Sequence, residues 1–444
     1  MKKYLLVGAA VVSLSSPAFS DKSESTVTQE ATGNTATVDQ SGSLAGGRST
    51  VTQTGSGNLA EVTQINDGKT NQAPPLNTAT VYQSGDDNQA AILQDTMGPA
   101  RSRSSIDQSG SDNIADSSQY DDEQASEIVQ LSDNNTAIVS QGDAPNAGAD
   151  QSWGNRSFVD QSGTGGHFTD VAQPGKRNIS TVSQTGASET ANVTQSGSDN
   201  ISDILQGPGN TDNVAGLIQA GDDNISTISQ DGTSNSADVA QSGDENTSAV
   251  TQFGTGGETT VTQSGNKNTS TVDDVGSYSL VMVEQIGNLN TSTVDSRASG
   301  SVIGVTQGGD ENDSTIEQLN FVPPADGYSA LVNQSGSNNT SAITQDGELH
   351  TADLTQSGSD NVSDIAQTGS TGEAIVVQSG DANISMLDQS GLTLTGYVTQ
   401  EGNLNESLLI QTGEMNTATI NQMTDNNLST VMQSGSGNTT MVTQ

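Results

Sequence analysis

From Thr26 onward the chain alternates between two kinds of position. Amides and small or branched apolar residues fill every second place, and Thr, Ser and Asp fill the places between, as in Asn268-Thr-Ser-Thr-Val272. A two-residue period is the mark of a strand with one buried face. The runs are short and each is broken by Gly-x-x, a turn signal, since Gly tolerates positive φ and Asn is the next most tolerant residue. Between successive Gln the unit reads Gln-x-Gly-x-x-Asn-x-(Ala/Ser)-x-(Val/Ile)-x, and the next Gln follows eleven residues on. Clean copies are Gln195, Gly197, Asn200, Ser202, Ile204, Gln206 and Gln241, Gly243, Asn246, Ser248, Val250, Gln252.

The units alternate in strength, which sets the full period at 22 residues. Strong units begin at Gln29, Gln53, Gln83, Gln108, Gln130, Gln151, Gln173, Gln195, Gln219, Gln241, Gln263, Gln285, Gln307, Gln334, Gln356, Gln378, Gln400 and Gln422. All but one carry Asn five positions on; after Gln151 the Asn comes one place early, at Asn155. The weak units drift at the Asn slot, to Glu189, Gly257, Ser279, Ser301, His350, Gly372 and Leu394.

A fixed period of this kind decides the fold. Each 22-residue pair is expected to be strand, turn, strand, turn, and the whole an all-β solenoid of about 18 such coils. Stacked coils let backbone groups bond to the coil above and below, at roughly 4.7–4.8 Å per layer, with identical side chains forming cross-β ladders. Buried Gln and Asn are costly unless paired, and amide ladders pair them. The expected ladder residues are Gln195, Gln219, Gln241, Gln263, Gln285, Gln307, Gln334, Gln356, Gln378, Gln400 and Gln422, with Asn200, Asn224, Asn246, Asn268, Asn290, Asn312, Asn339, Asn361, Asn383, Asn405 and Asn427. The expected turn glycines are Gly197, Gly221, Gly243, Gly265, Gly287, Gly309, Gly336, Gly358, Gly380 and Gly402.

Composition agrees with a thin core. The 444 residues are 30% hydrophobic and 3% aromatic, with 49 Gly and a net charge of −41. Such a chain would read as disordered were it not for the repeat. Its acidity argues against nucleic acid, which needs Lys and Arg on phosphates. Zero cysteines exclude disulfides and thiolate chemistry, and two histidines leave little for imidazole sites.

Residues 1–20 read as a signal peptide: Lys2 and Lys3, an apolar run from Leu5 to Val12, and Ala18-Phe19-Ser20 before Asp21. The run is too short for a bilayer, which takes ~20 residues. The short dibasic leader points to a bacterial exported protein. Residues 21–444 then form the repeat domain. Its rhythm is interrupted around 65–82, 95–107 and 319–333, where Pro74-Pro75, Pro99 and Pro323-Pro324 indicate loop insertions.

The Gln-x-Gly-x-x-Asn-x-Ala series on a 22-residue strand-turn-strand period resembles the curlin repeat family, the subunits of curli functional amyloid. The resemblance runs from Gln29 to Gln444. It implies a secreted subunit that polymerises outside the bacterial cell into cross-β fibres of the biofilm matrix. It also implies a nucleating subunit and an outer-membrane secretion pore as partners. The family's inward amides map onto Gln195, Asn200, Gln241, Asn246, Gln356, Asn361 and their equivalents.

Other chemistry is sparse. Acidic turns such as Asp86-Asp87, Asp222-Asp223, Asp244-Glu245 and Asp310-Glu311 offer hard oxygen ligands that could hold a divalent cation weakly. The bland reading is a solvated turn whose charge restrains premature strand pairing, and no cofactor is expected. His350 reads as a variant in the Asn slot and His167 as a loop residue beside Gly165-Gly166. With no nucleophile, base and orienter set and no phosphate loop, an enzyme is not expected. The function expected is a self-assembling fibre subunit, its outer coils templating the next copy. The rival is a monomeric solenoid serving as a surface adhesin or matrix-binding protein.

Overall fold

The computed structural model describes residues 23–40, 46–66, 77–96, 101–142, 154–209, 211–319 and 327–444. The leader (1–20), Gln151 and the centres of the three expected insertions lie outside the described residues. The chain divides into two compact units, residues 1–224 and 225–444, and the boundary falls at none of those insertions.

Every regular element among the described residues is a strand. The N-terminal unit has sixteen, from Glu24–Gln29 to Val214–Asp222, and the C-terminal unit twenty, from Ile225–Gln230 to Thr439–Thr443. Consecutive strands never pair. Each pairs in parallel with the strand one coil away, so alternate strands build two sheets in each unit. In the N-terminal unit Arg156–Gln161 pairs with Ile179–Gln184, which pairs with Ile201–Gln206; the intervening Phe168–Gln173 and Thr190–Ser198 pair with one another in the second sheet. The C-terminal unit repeats the scheme, with Thr269–Asp274 on Thr291–Ser296 in one sheet and Glu258–Ser264 on Leu280–Ile286 in the other. This is the β-solenoid that the two-residue alternation and the 22-residue period predict.

The alternation also fixes the core. In Ile201–Gln206 the residues Ser202, Ile204 and Gln206 are buried while Ile201, Asp203 and Leu205 face out. A one-residue slip would turn Asp203 inward, so register is strongly specified. The core is thin: Val or Ile flanked by Ala or Ser, closed at one end by Gln and at the other by the Asn slot.

Candidate functional site

The repeated chemistry of each unit is its set of axial side-chain columns. In the second sheet of the N-terminal unit, Gln173 Nε2 donates to Gln195 Oε1 and Gln195 Nε2 to Gln219 Oε1, both at 2.8 Å. The second amide proton of Gln195 goes to the Ile179 carbonyl at 3.1 Å, on the other strand of its own coil. Each Gln therefore ties its coil to the next and its two sheets to each other, with both donor protons used. In the C-terminal unit the same column runs Gln241, Gln263, Gln285, Gln307, Gln334, Gln356, Gln378, Gln400, Gln422, with rungs of 2.8–2.9 Å.

The Asn columns carry the expected amide ladder, as where Asn268 Nδ2 donates to Asn246 Oδ1 at 3.2 Å and Asn312 Nδ2 to Asn290 Oδ1 at 3.1 Å, and the backbone joins in. The backbone N–H of Asn268 donates to Asn246 Oδ1 at 3.0 Å, and Asn246 Nδ2 donates to the Gly265 carbonyl at 2.8 Å. The same pair of bonds holds Asn290, Asn312, Asn339, Asn361 and Asn383, and Asn405 and Asn427 continue the N–H to Oδ1 column. In the N-terminal unit Asn200 and Asn224 do likewise. Asn is thus a clamp between its own strand and the neighbouring turn. It does not itself take the left-handed backbone. That conformation belongs to the residue before it: Asp199, Asp223, Glu245, Lys267, Leu289, Glu311, Asp360, Ala382 and Leu404 have φ of 56–59°.

The turn glycines stack directly. Gly197, Gly221, Gly243, Gly265, Gly287, Gly309, Gly336, Gly358, Gly380 and Gly402 all have positive φ. A Cβ on Gly243 would lie 2.2 Å from the Gly265 carbonyl oxygen. Space along the stack therefore demands glycine as much as φ does.

One expectation needs correction. The strong units do not form a single series. Gln108 donates to Gln130, and Gln130 to Gln161, in one sheet; Gln173 receives from Gln141 in the other. The first five strong Gln and those from Gln173 onward lie in different columns. The switch falls where residues 142–155 join two strands that an ordinary turn, such as residues 131–135, would join. This fourth insertion leaves no mark on the Gln spacing, because Gln151 falls close to where an uninterrupted series would place it. Asn155, early in that count, heads Arg156–Gln161 and belongs to the column Asn77, Ser102, Gln124, Asn155, Asn178, Asn200, in which each acceptor takes the N–H one coil on.

His167 lies outside the strands, directly before Phe168–Gln173, but it is more than a loop residue. It is buried in the Asn slot, its N–H bonded to Asn135 Oδ1 at 3.0 Å. Its Nε2 bonds the Ser162 carbonyl at 2.8 Å and its Nδ1 accepts the Glu189 N–H at 3.4 Å. Burial holds its pKa below the ordinary value. An extra residue in the preceding turn hid it from the repeat count. His350 does the same work, Nδ1 accepting the Gly372 N–H at 3.0 Å. Tyr328, missed because the insertion before it displaced the count, fills the slot one coil earlier, where its hydroxyl meets the Gly347 carbonyl and its ring tilts against His350.

The acidic turns have a structural use. Asp86 Oδ1 accepts the Ser56 N–H and Asp222 Oδ1 the Ser198 N–H, both at 2.8 Å, and Asp310 Oδ1 the Asn288 N–H at 2.9 Å. Glu245 pairs with Lys267 on the next coil at 3.5 Å. Among the described residues no three His, Asp or Glu converge to hold a metal ion, and no helix is long and apolar enough to cross a membrane.

The model of the curlin associated repeat matches the chain at seven places, residues 168–197, 221–254, 232–264, 258–287, 350–380, 394–423 and 413–444. All seven lie beyond the column switch, where Asn and Gln keep the cleanest spacing. No curated protein matches the chain.

Proposed function

We propose, on the premise that this chain is built of repeats of the curlin family, that it is a secreted structural subunit forming extracellular curli-like amyloid fibres of a biofilm matrix. The observation that carries the reading is the equivalence of the coils. Gln356 and Asn361 bond to their like one coil on, and Gly358 stacks closely on Gly380, just as in the neighbouring coils. A coil from another copy offers those same groups, so an outer coil is a template for strand addition. In the strand Leu428–Ser436, Gln433 Nε2 makes the usual carbonyl bond, to Thr417, and gives Thr440 Oγ1 the proton that elsewhere goes to the next Gln. The partners of this reading are further copies of the chain, a nucleating subunit and an outer-membrane secretion pore. No cofactor or catalytic step belongs to it.

The test is to dilute the purified chain from denaturant, follow thioflavin fluorescence with and without sonicated seeds, and record fibre diffraction. Seeded growth with a meridional reflection near 4.7–4.8 Å is expected. A strand-rich species that stays monomeric would overturn the fibre reading and favour a solitary solenoid adhesin.

A further inference from the structure

The outer faces of the N-terminal unit carry a second rhythm, of two coils instead of one. On one sheet the first outward position runs Arg48, Thr78, Arg103, Ala125, Arg156 in strict strand register. On the other sheet the equivalent row reads Leu59, Gln89, Ile114, Thr136, Phe168, and the next outward row Glu61, Ala91, Asp116, Ile138, Asp170. Arginine and carboxylate occupy the same alternate coils. Arg48 precedes Glu61 by one turn, Arg103 precedes Asp116, and Arg156 precedes Asp170.

Three of the chain's six arginines thus stand in one row of a molecule whose net charge is −41. Arg48 pairs with Glu24 at 3.1 Å. Arg103 and Arg156 are exposed and form no ion pair among the described residues. Between them the small Ala125 leaves a shallow recess of about 500 Å³, bordered by Glu127 and Phe158. On the opposite sheet, burial raises the carboxyls of Asp116 and Asp170, and the like charge of Glu61 adds to the rise at Asp116 against a hydrogen bond from Ser118.

We propose that these faces are the two halves of one lateral contact, in which the arginine face of one copy lies against the carboxylate face of a second copy. Both rows repeat at two strand spacings, roughly 9.6 Å, so axially aligned copies match all three positions at once. Leu59, Ile114 and Phe168, exposed beside the carboxylates in the same coils, supply apolar cover. An external polyanion would account for the arginine row but not for acids placed in the matching coils. The overall repulsion between acidic copies is screened beyond about 8 Å at physiological salt, leaving the close rows to decide orientation. The contact joins unlike faces, so each added copy leaves one face of each kind free for the next.

The test uses the full chain and two variants, Arg103→Glu/Arg156→Glu and Asp116→Arg/Asp170→Arg, all with outward substitutions and checked for the strand signature by circular dichroism. The readout is mass per unit length by dark-field electron microscopy at 0.15 M salt, which end-to-end stacking leaves unchanged. Wild type is expected to give multiples of the single-solenoid value. Each variant alone is expected to lose at least tenfold in the multiple fraction, because its two faces now repel. An equal mixture of the two is expected to recover it, since the acidic face of one then meets the basic face of the other. Single mass per length throughout in wild type, unimpaired pairing in either variant, or a mixture that fails to recover would each overturn the proposal. Particle length, read from the same images, reports separately on end-to-end growth.

Discussion

Gln318 stands in strand register above Ser296, and its buried Oε1 has no hydrogen-bond partner. In an unbroken column that oxygen accepts from the Gln one coil below, as Gln345 Oε1 accepts from Gln318 at 2.9 Å. Here two rungs are missing: Asp274 and Ser296 replace Gln between Gln252 and Gln318, and Gln252 Nε2 keeps its usual carbonyl bond, to Ser236, but turns its other proton aside to Thr259 Oγ1. The double substitution Asp274→Gln/Ser296→Gln is expected to complete the column. Three rung bonds at about 1 kcal/mol each, with a buried carboxyl removed, should raise the denaturant midpoint of the C-terminal unit. A midpoint unchanged or lowered would show that the gap is not a defect of hydrogen bonding.

Glu189 sits in the Asn slot of the N-terminal unit, fully buried, its Oε2 3.7 Å from His167 Nδ1. Burial pushes its pKa from 4.5 up to about 7. The folded chain therefore holds this proton between pH 4.5 and 7 where the unfolded chain has lost it, and stability drains away as pH rises through that window. His167 and His350 act oppositely: burial lowers their pKa, so they cost stability as pH falls below 6.5. Comparison with Glu189→Gln isolates the acid. The variant's advantage over wild type should grow from pH 4.5 to 7 and level off above. A difference constant with pH would refute it.

How far the sequence reaches is visible in single positions. Gln356, Asn361 and Gly358 are legible because a period-2 strand and a fixed turn leave each residue type one physical task. The column switch near Asn155 is not, since an eleven-residue count cannot tell which of two like sheets a Gln belongs to. His167 is illegible because one extra residue between Gln161 and the slot shifts it off the five-residue spacing, whereas His350 keeps that spacing; Ser102, Gln124 and His350 also serve where the repeat has Asn. The two-coil rhythm of Arg103 and Asp116 lies on the outward positions, which the core does not constrain.

The inward serines of the first sheet are a separate matter. Ser226, Ser248, Ser270, Ser292 and Ser314 are buried in successive coils of the C-terminal unit, and none of their hydroxyls has a partner. Further along the same row Ser407 Oγ donates to Ser385 Oγ at 3.2 Å, but no such bond joins these five. The second sheet places Ala237, Ala330, Ala352, Ala374 and Ala418 at the matching slot. Ser248→Ala should therefore be neutral or stabilise by up to about 1 kcal/mol, because an unpaired buried hydroxyl is removed at little loss of packing. Amide exchange of the flanking strands would measure it. Faster exchange in the variant would mean that the hydroxyl is bonded in solution.

Gly243 and Gly437 separate the two demands made on the turn glycines. Both have positive φ, +100° and +70°, so alanine at either strains the backbone by roughly 1–2 kcal/mol. Only at Gly243 is there no room: its Cβ would lie 2.2 Å from the Gly265 carbonyl oxygen, whereas that of Gly437 would meet nothing within 4 Å. The obstructing oxygen also accepts from Asn246 Nδ2 at 2.8 Å, so moving it breaks the clamp as well. Gly243→Ala should thus cost at least twice what Gly437→Ala costs, and the excess should appear as faster amide exchange in Thr247–Gln252 and Thr269–Asp274. Repeat stability is a sum of local and nearest-neighbour contributions, so coils several turns away should keep their protection. Equal costs for the two variants would mean that backbone conformation alone selects glycine, and that adjacent turns can part without loss.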